Sequence, residues 1–539
     1  MNLPAPTPEH SPHALRRIAW LGILGFIVLG VSLLFFNRPS PQTPAPSGTA
    51  STTVVVPAEF KRGEELAKTV CSSCHLYTPP GLLDKVNWAM EVLPAMSEKI
   101  GFHNVPYHQL GLEPRVLAAK LIPEAPILKI EEWRAICTYY LGASPLATAE
   151  PAQHEAIEVG LKQFEVVQPE FRGLGRTTLI KIDPAAHHIY LGEEGTNSLV
   201  ILDQRGRRLS RTTLPSPAAS LELRPDGMFL TLMGSYSPSD ELSGKLVWLP
   251  GPRSSDEPRE VLTSLPRPVR TVFADLNQDG REDLLVCGFG NLLGQFSWFE
   301  NRGTNYVEHA LLDRPGAIAA EVHDFNRDGL PDIIVMMAQA REGIYIFYNR
   351  GQGEFSGPEP VAEYHALWGF SSFELVDFNG DGFMDILATN GDSGDHPGYL
   401  PPFKSFHGIR LYLNDGKNQF KEAWFRLMTG SYKAFARDFD GDGDLDIAAI
   451  SFYPLYRTSP YESFVYLENQ GGMNFKAWSF REALSGRWIT MDTADLDGDG
   501  DLDIVMGSMH DGPSPVPHGL HERWKEVGPT LLILKNRMR

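Results

Sequence analysis

DLDGDGDLD (495–503) is the last of five stretches built on one pattern. The others are DLNQDGRED (275–283), DFNRDGLPD (324–332), DFNGDGFMD (377–385) and DFDGDGDLD (438–446). Their starts are 49, 53, 61 and 57 residues apart, a period that marks a repeat architecture with one supersecondary unit per repeat. Each stretch runs into an apolar segment (LLV, IIVMM, ILA, IAAI, IVM) that reads as a buried strand. A second piece recurs further on, as FSWFENRG, IYIFYNRG, IRLYLNDG, FVYLENQG and LLILKN. Its alternation and turn-forming end predict an outer strand followed by a hairpin.

Oxygen donors at positions 1, 3, 5 and 9, with glycine at 6, suit a hard divalent cation such as Ca²⁺, the glycine permitting the sharp turn. The candidate ligands are Asp275, Asn277, Asp279 and Asp283, then Asp324, Asn326, Asp328 and Asp332, then Asp377, Asn379, Asp381 and Asp385. The fourth and fifth loops offer Asp438, Asp440, Asp442 and Asp446, and Asp495, Asp497, Asp499 and Asp503. An EF-hand requires Glu at position 12. That position holds Val286, Val335, Ala388, Ala449 and Met506, so the EF-hand is excluded.

The repeats resemble FG-GAP/VCBS repeats, the calcium-loop blades of integrin-like propellers, over roughly residues 160–539. The resemblance implies one four-stranded blade per repeat, a calcium loop between two of its strands, and about five Ca²⁺ ions. Two degenerate copies, TLIKIDPAAHHIYLG (178–192) and SLELRPDGMFLTLMG (220–234), have lost the carboxylates but keep the pattern. Counting them gives seven blades, all-β, suited to a closed propeller. The terminal TLLILKN lacks an outer neighbour, and LKQFEVVQP (161–169) is expected to supply it, closing the ring.

The 539 residues are 42% hydrophobic and 21% charged, ordinary globular material, with a formal net charge of -19. This acidity argues against nucleic acid as a partner, since phosphate binding needs a basic surface. Seventeen aspartates at loop ligand positions account for most of it, and five bound divalent cations would offset about half.

At the N-terminal end, residues 1–17 carry Arg16 and Arg17, and IAWLGILGFIVLGVSLLFF (18–36) is uncharged. That run is long enough to span a bilayer core of roughly 30 Å. Read as a single-pass signal anchor, it holds residues 1–17 in the cytoplasm and puts the rest of the chain outside the inner membrane. A cleaved signal peptide is the alternative, with the same destination. Residues 37–57 are rich in Pro, Ser and Thr and read as a tether.

CSSCH follows at 71–75. C-x-x-C-H is the attachment signature of c-type haem. Cys71 and Cys74 are spaced for two thioether bonds, and His75 is placed to ligate the iron. Zinc would need two further ligands, which Cys137 alone does not supply. A redox dithiol would sit in a βαβ pattern that is missing here. Met96 is the favoured second axial ligand, with Pro94 expected to break the preceding helix and present it from a loop; Met90, His103 and His108 are the other candidates. A closing helix is expected over 129–145, its apolar face at Ile130, Trp133, Ile136, Cys137 and Tyr140, ended by Gly142 and Pro145. Residues 58–145 resemble a monohaem cytochrome c domain, small and all-α. The propeller then occupies 146–539.

Insertions follow the inner strands of the last three blades, at 390–408, 452–464 and 508–524. They should gather on one face, either packing on the cytochrome-like domain or forming a recognition site with His396, Tyr399, Lys404, His407 and Tyr456. The whole resembles bacterial fusions of a cytochrome c domain with an FG-GAP/VCBS propeller. That implies a membrane-anchored electron carrier whose propeller docks a redox partner or a small ligand. The alternatives are an oxidoreductase with a substrate site on the propeller, and an adhesion or assembly protein.

Overall fold

Inner strands that open seven successive sheets set the architecture: Thr177–Asp183, Ala218–Arg224, Pro268–Ala274, Ala317–His323, Phe370–Val376, Ser431–Arg437 and Trp488–Ala494. Each begins an antiparallel sheet that meanders outward, and the seven sheets are the blades of one β-propeller in a computed structural model describing residues 60–150, 155–251, 258–394, 403–514 and 516–538. The segments expected at 1–17, 18–36 and 37–57 lie outside the described residues. Among the described residues no helix is long and apolar enough to cross a membrane.

The strand after each acidic loop is buried along its whole length, as in Asp332–Met337 and Asp446–Ser451. The second recurring piece forms the third strand of each blade, not the outer one: Gln295–Asn301, Glu342–Phe347, Gly408–Asn414, Phe464–Asn469 and Leu531–Asn536. It is buried on both faces because neighbouring blades cover it, so the outward-facing polar half of the expected alternation is absent. The hairpin that follows leads to an exposed fourth strand, as in Glu359–Tyr364. The core is a ring of separate clusters, one between each pair of adjacent blades.

The ring closes as expected. Phe164–Val167 is the outer strand of the seventh blade, antiparallel to Leu531–Asn536. Just before it, Glu158–Val159 adds a parallel fifth strand to the sixth blade, capping an edge that would otherwise offer unpaired backbone groups. Arg426–Glu155 and Lys476–Glu158 ion pairs hold this approach.

Residues 60–150 contain helices and no strand, the principal ones being Lys61–Val70, Leu93–Lys99 and Ile130–Ala143. The first and last cross at glycines. A Cβ on Gly63 would lie 2.2 Å from the Ala135 carbonyl oxygen, and one on Gly142 would lie 2.2 Å from the Phe60 ring. Gly142 is therefore a close-approach position inside the helix and does not end it. The buried face is Ile136, Tyr139 and Tyr140, while Ile130 is exposed.

Phe164 is buried against Phe439 and Tyr466 at ring distances of 5.8 and 5.7 Å. Phe164→Ala is expected to cost about 3–5 kcal/mol, the usual range for emptying a buried aromatic site. A lowered urea midpoint, with proteolytic release of the seam strand, checks it.

Candidate functional site

Helix Lys61–Val70 buries Gly63, Leu66 and Ala67 and runs into a tight turn at Cys71–Ser73. The Cys71 carbonyl accepts from the backbone N–H of Cys74 at 3.4 Å and of His75 at 3.5 Å, so the turn presents both cysteines and the histidine together. Neither thiol is in a disulfide. Burial pushes the Cys71 thiol up to about 11, with Cys74 adding to the effect. His75 Nδ1 lies 2.8 Å from the Leu76 carbonyl oxygen. A carbonyl only accepts, so Nδ1 carries the proton and the Nε2 lone pair is left for a metal.

The surroundings fit a missing apolar filler. Eight of the fourteen exposed large hydrophobic side chains among the described residues fall between 60 and 146, Leu76, Val86, Met90, Leu121 and Ile127 among them. A small helical unit on a much larger propeller would not carry over half of these if its own core were complete.

Met96 sits on a helix and not on a loop. A π-turn at Trp88–Val92 continues into Leu93–Lys99, and Pro94 occupies the second position of that segment. Pro94 closely follows the π-turn, where the regular i→i−4 ladder is already interrupted and its missing N–H is accommodated. Met90 is exposed at 55%. His103 Nε2 is bonded to the Pro123 carbonyl at 2.7 Å, while His108 is exposed beside Gln109.

The helical unit docks on the face of the propeller formed by the second-to-third and fourth-to-first strand connections. Leu367 and Phe406 join its hydrophobic core. Arg115 donates to the Asp240 carbonyl at 2.6 Å, and Ser239 donates to the Glu113 carboxylate at 3.1 Å. The Asp240 carboxylate, 1% exposed, accepts three consecutive N–H groups from Asn291, Leu292 and Leu293, bracing that loop. His365 packs edge-on against Phe406 and Trp368. Burial first, then Lys404, hold its imidazole down to about 4, with His75 contributing.

The insertions gather on this same face, but their candidate recognition side chains turn inward. Lys404 and His407 are 2% and 0% exposed, because the 403–408 segment folds back over its own blade. Tyr456 packs on Trp524 of the helix His518–Val527 at 5.5 Å. His396 and Tyr399 lie outside the described residues.

The acidic loops lie on the opposite face, between first and second strands. In every one the position-nine aspartate is almost fully buried: Asp283, Asp332, Asp385, Asp446 and Asp503 are 0–1% exposed. One carboxylate oxygen accepts the N–H of loop position two, and the other accepts the N–H of the asparagine that ends the third strand. In the first loop these are Leu276 at 3.1 Å and Asn301 at 2.7 Å. The same pair recurs in the other four. Burial is the first cause of the raised pKa of all five, with Asp446 and Asp503 reaching about 6.

The remaining loop donors differ. Carboxylate oxygens of Asp438, Asp440 and Asp442 converge within 4.8 Å of one another, as do those of Asp495, Asp497 and Asp503. In the first three loops an asparagine replaces the second aspartate, and its amide nitrogen points at the position-five carboxylate, as in Asn326 to Asp328 at 2.9 Å.

The third-strand asparagines Asn301, Asn349, Asn414, Asn469 and Asn536 escaped the sequence reading, although each stands at the same place in its recurring piece. Asn349 donates to the carbonyls of Leu276, in the preceding blade, and Pro331.

Fold and loops together define a seven-bladed propeller carrying FG-GAP-like repeats. The FG-GAP-like repeat family model matches residues 275–335, 324–388 and 438–506, spans that contain all five acidic loops. No curated protein matches the chain in sequence. Among solved structures it is similar to BBS1N crystallised with ARL6DN, at 9% identity, 71% of this chain, 99% of that one and a TM-score of 0.42. It is also similar to the Pan2 WD40 domain of Neurospora crassa, at 9% identity, 70% and 96% coverage and a TM-score of 0.42. A third is regucalcin, a calcium-binding protein of Agrobacterium tumefaciens, at 10% identity, 71% and 98% coverage and a TM-score of 0.34.

Asn349→Ala removes both amide donors and leaves one buried carbonyl, Leu276, and one part-buried carbonyl, Pro331, unpaired. It is expected to cost about 1–3 kcal/mol, measured by chemical denaturation, whereas Asn305→Ala in an exposed hairpin should be near neutral.

Proposed function

We propose that this protein is a membrane-anchored c-type cytochrome that transfers electrons, with the helical unit as its haem module and the propeller as its mount. The observation that carries the reading is the CSSCH turn, which brings two free thiols beside a histidine whose Nδ1 is held by the Leu76 carbonyl, leaving Nε2 for a metal. Cys71 and Cys74 would hold haem c by thioether bonds and His75 would ligate its iron, with Met96 the first candidate for a further ligand. The bound group would supply one-electron exchange with a redox partner protein. The chain's own contribution is orientation: the His75 Nδ1–H bond to Leu76 fixes the ring and its tautomer. Leu367 and Phe406 fix the module on the propeller. The apolar 18–36 segment supports anchoring in a bacterial inner membrane with the bulk of the chain in the periplasm.

Calcium in the five acidic loops belongs to the same proposal. Its support is the convergence of carboxylates in the fourth and fifth loops, which a divalent cation would relieve.

A second reading, an oxidoreductase passing electrons from a propeller-bound substrate to the haem, is favoured by a large axial cavity whose rim loop also touches the helical unit.

Two measurements test these readings. Chain produced with a c-type maturation system should keep its haem absorbance through denaturation and acid–acetone extraction, and Cys71→Ser with Cys74→Ser should abolish it; pigment that extracts from the parent chain refutes covalent attachment. Chelator should lower the melting temperature and Ca²⁺ should restore it, since a ligand at about 100 times its Kd adds about 2.7 kcal/mol. A melting curve indifferent to both removes calcium from the proposal.

A further inference from the structure

The inner strands of all seven blades line an axial cavity of about 1230 Å³. Its rim includes Tyr236 and Pro238, and the next two residues of that loop, Ser239 and Asp240, contact the helical unit. The cavity therefore opens on the face that carries the CSSCH module.

Six basic and six acidic side chains line it, so its charge is balanced overall, and most of the acids are engaged by neighbours: Glu222 by Arg224, and Asp511 by Arg176, His521 and Lys525. Asp492 is engaged by Lys181 at 3.5 Å and by the Ile182 N–H at 2.8 Å. Glu374 is engaged by Arg437 and the Ala436 N–H. Arg270 and Lys433 also line the cavity, and among the described residues neither makes an ion pair or a hydrogen bond. Burial brings the Lys433 ammonium down to about 8, with Asp492 and Glu374 acting to hold it up and Arg270 and Lys181 to depress it further. Glu321, the acid that feels Arg270, is pushed up to about 7 by burial and is an incomplete counter-charge. Among the described residues Arg270 and Lys433 are thus the basic side chains of the lining that no acid or carbonyl contacts directly, Lys433 lying over the Phe435 ring at 5.0 Å.

Above them stand three tyrosines, Tyr236, Tyr432 and Tyr453, whose hydroxyls have no hydrogen-bond partner among the described residues although all three line the cavity. Tyr453 is only 5% exposed. The three hydroxyls reach the cavity space, within the field of the Asp392 carboxylate, which accepts the Gly394 N–H at 2.8 Å. A large cavity with a few convergent polar groups is the common form of a small-molecule site.

We propose that the axial cavity binds a small organic anion, a carboxylate or a phosphate ester, its charge taken by Arg270 and Lys433 and its polar body by the hydroxyls of Tyr236, Tyr432 and Tyr453. The site is independent of haem, so its failure and the failure of the cytochrome reading are separate results.

Titration calorimetry on the full chain tests it, with 4-hydroxybenzoate, phenyl phosphate and the uncharged 4-hydroxybenzamide as probes. At least one anion should bind at one per chain, and which of the two binds tells carboxylate from phosphate. The amide should bind at least about 10-fold more weakly, as expected for losing a charge-assisted contact. Arg270→Gln and Lys433→Met should each weaken the anion by at least about 10-fold, and Tyr432→Phe by a few-fold. Should Lys433→Met not fold, Arg270→Gln, whose side chain reaches into open space, decides alone. Equal binding of anion and amide, binding unchanged in Arg270→Gln, or no binding of either anion at millimolar concentration overturns the proposal.

Discussion

Each repeated blade is pinned by one buried carboxylate. The position-nine aspartate receives a backbone N–H from the start of its own loop and another from the end of the third strand. A charged acceptor with two N–H partners is worth more than a neutral one and is correspondingly costly to leave unpaired. This bond set ties three parts of a blade, the loop, the second strand and the third strand, to a single side chain. It explains why the loop pattern is rigid at position nine while positions seven and eight vary freely between RE, LP, FM and DL. The loop's outer carboxylates stay nearer the surface and brace the loop itself, as Asp275 does by accepting the N–H groups of Asp279 and Gly280.

Much of this was legible in the sequence because it repeats. Five copies of an acidic loop, an apolar strand and a turn-ended strand define the blade, and the orphaned last strand points to Phe164–Val167 as its partner. What was missed was local chemistry inside the repeat. The third-strand asparagine looks like an ordinary turn residue until the amides of Asn349 and Asn536 are seen crossing to the preceding blade. The third strand itself seemed to alternate because one or two polar residues interrupt it, yet both its faces are covered. In the helical unit, Pro94 and Gly142 read as breaks by composition. Proline's place just past the π-turn and glycine's lack of a side chain let the helices continue past both. Lys404 and His407 looked like recognition residues because lysine and histidine are seldom fully buried; the fold-back of their loop could not be read from one chain alone.

The two faces of the propeller divide the work. Acidic loops line one end, joined laterally by contacts such as Gln278 to the Gly329 carbonyl and Arg327 to the Gly382 carbonyl. The other end is aromatic and basic, braced by Asp240, and it carries the helical unit.

The seam strand has a consequence for the order of assembly. Gly173 and Thr530, bonded across the closure, are 357 residues apart in the chain, so the ring is completed by the contacts of longest sequence separation, the kind that form slowly. On a ribosome the CSSCH turn emerges long before the strand that locks the seventh blade. For that whole interval its thiols belong to a nascent chain whose propeller is an open arc. The face on which the helical unit docks is complete only when the circle is shut.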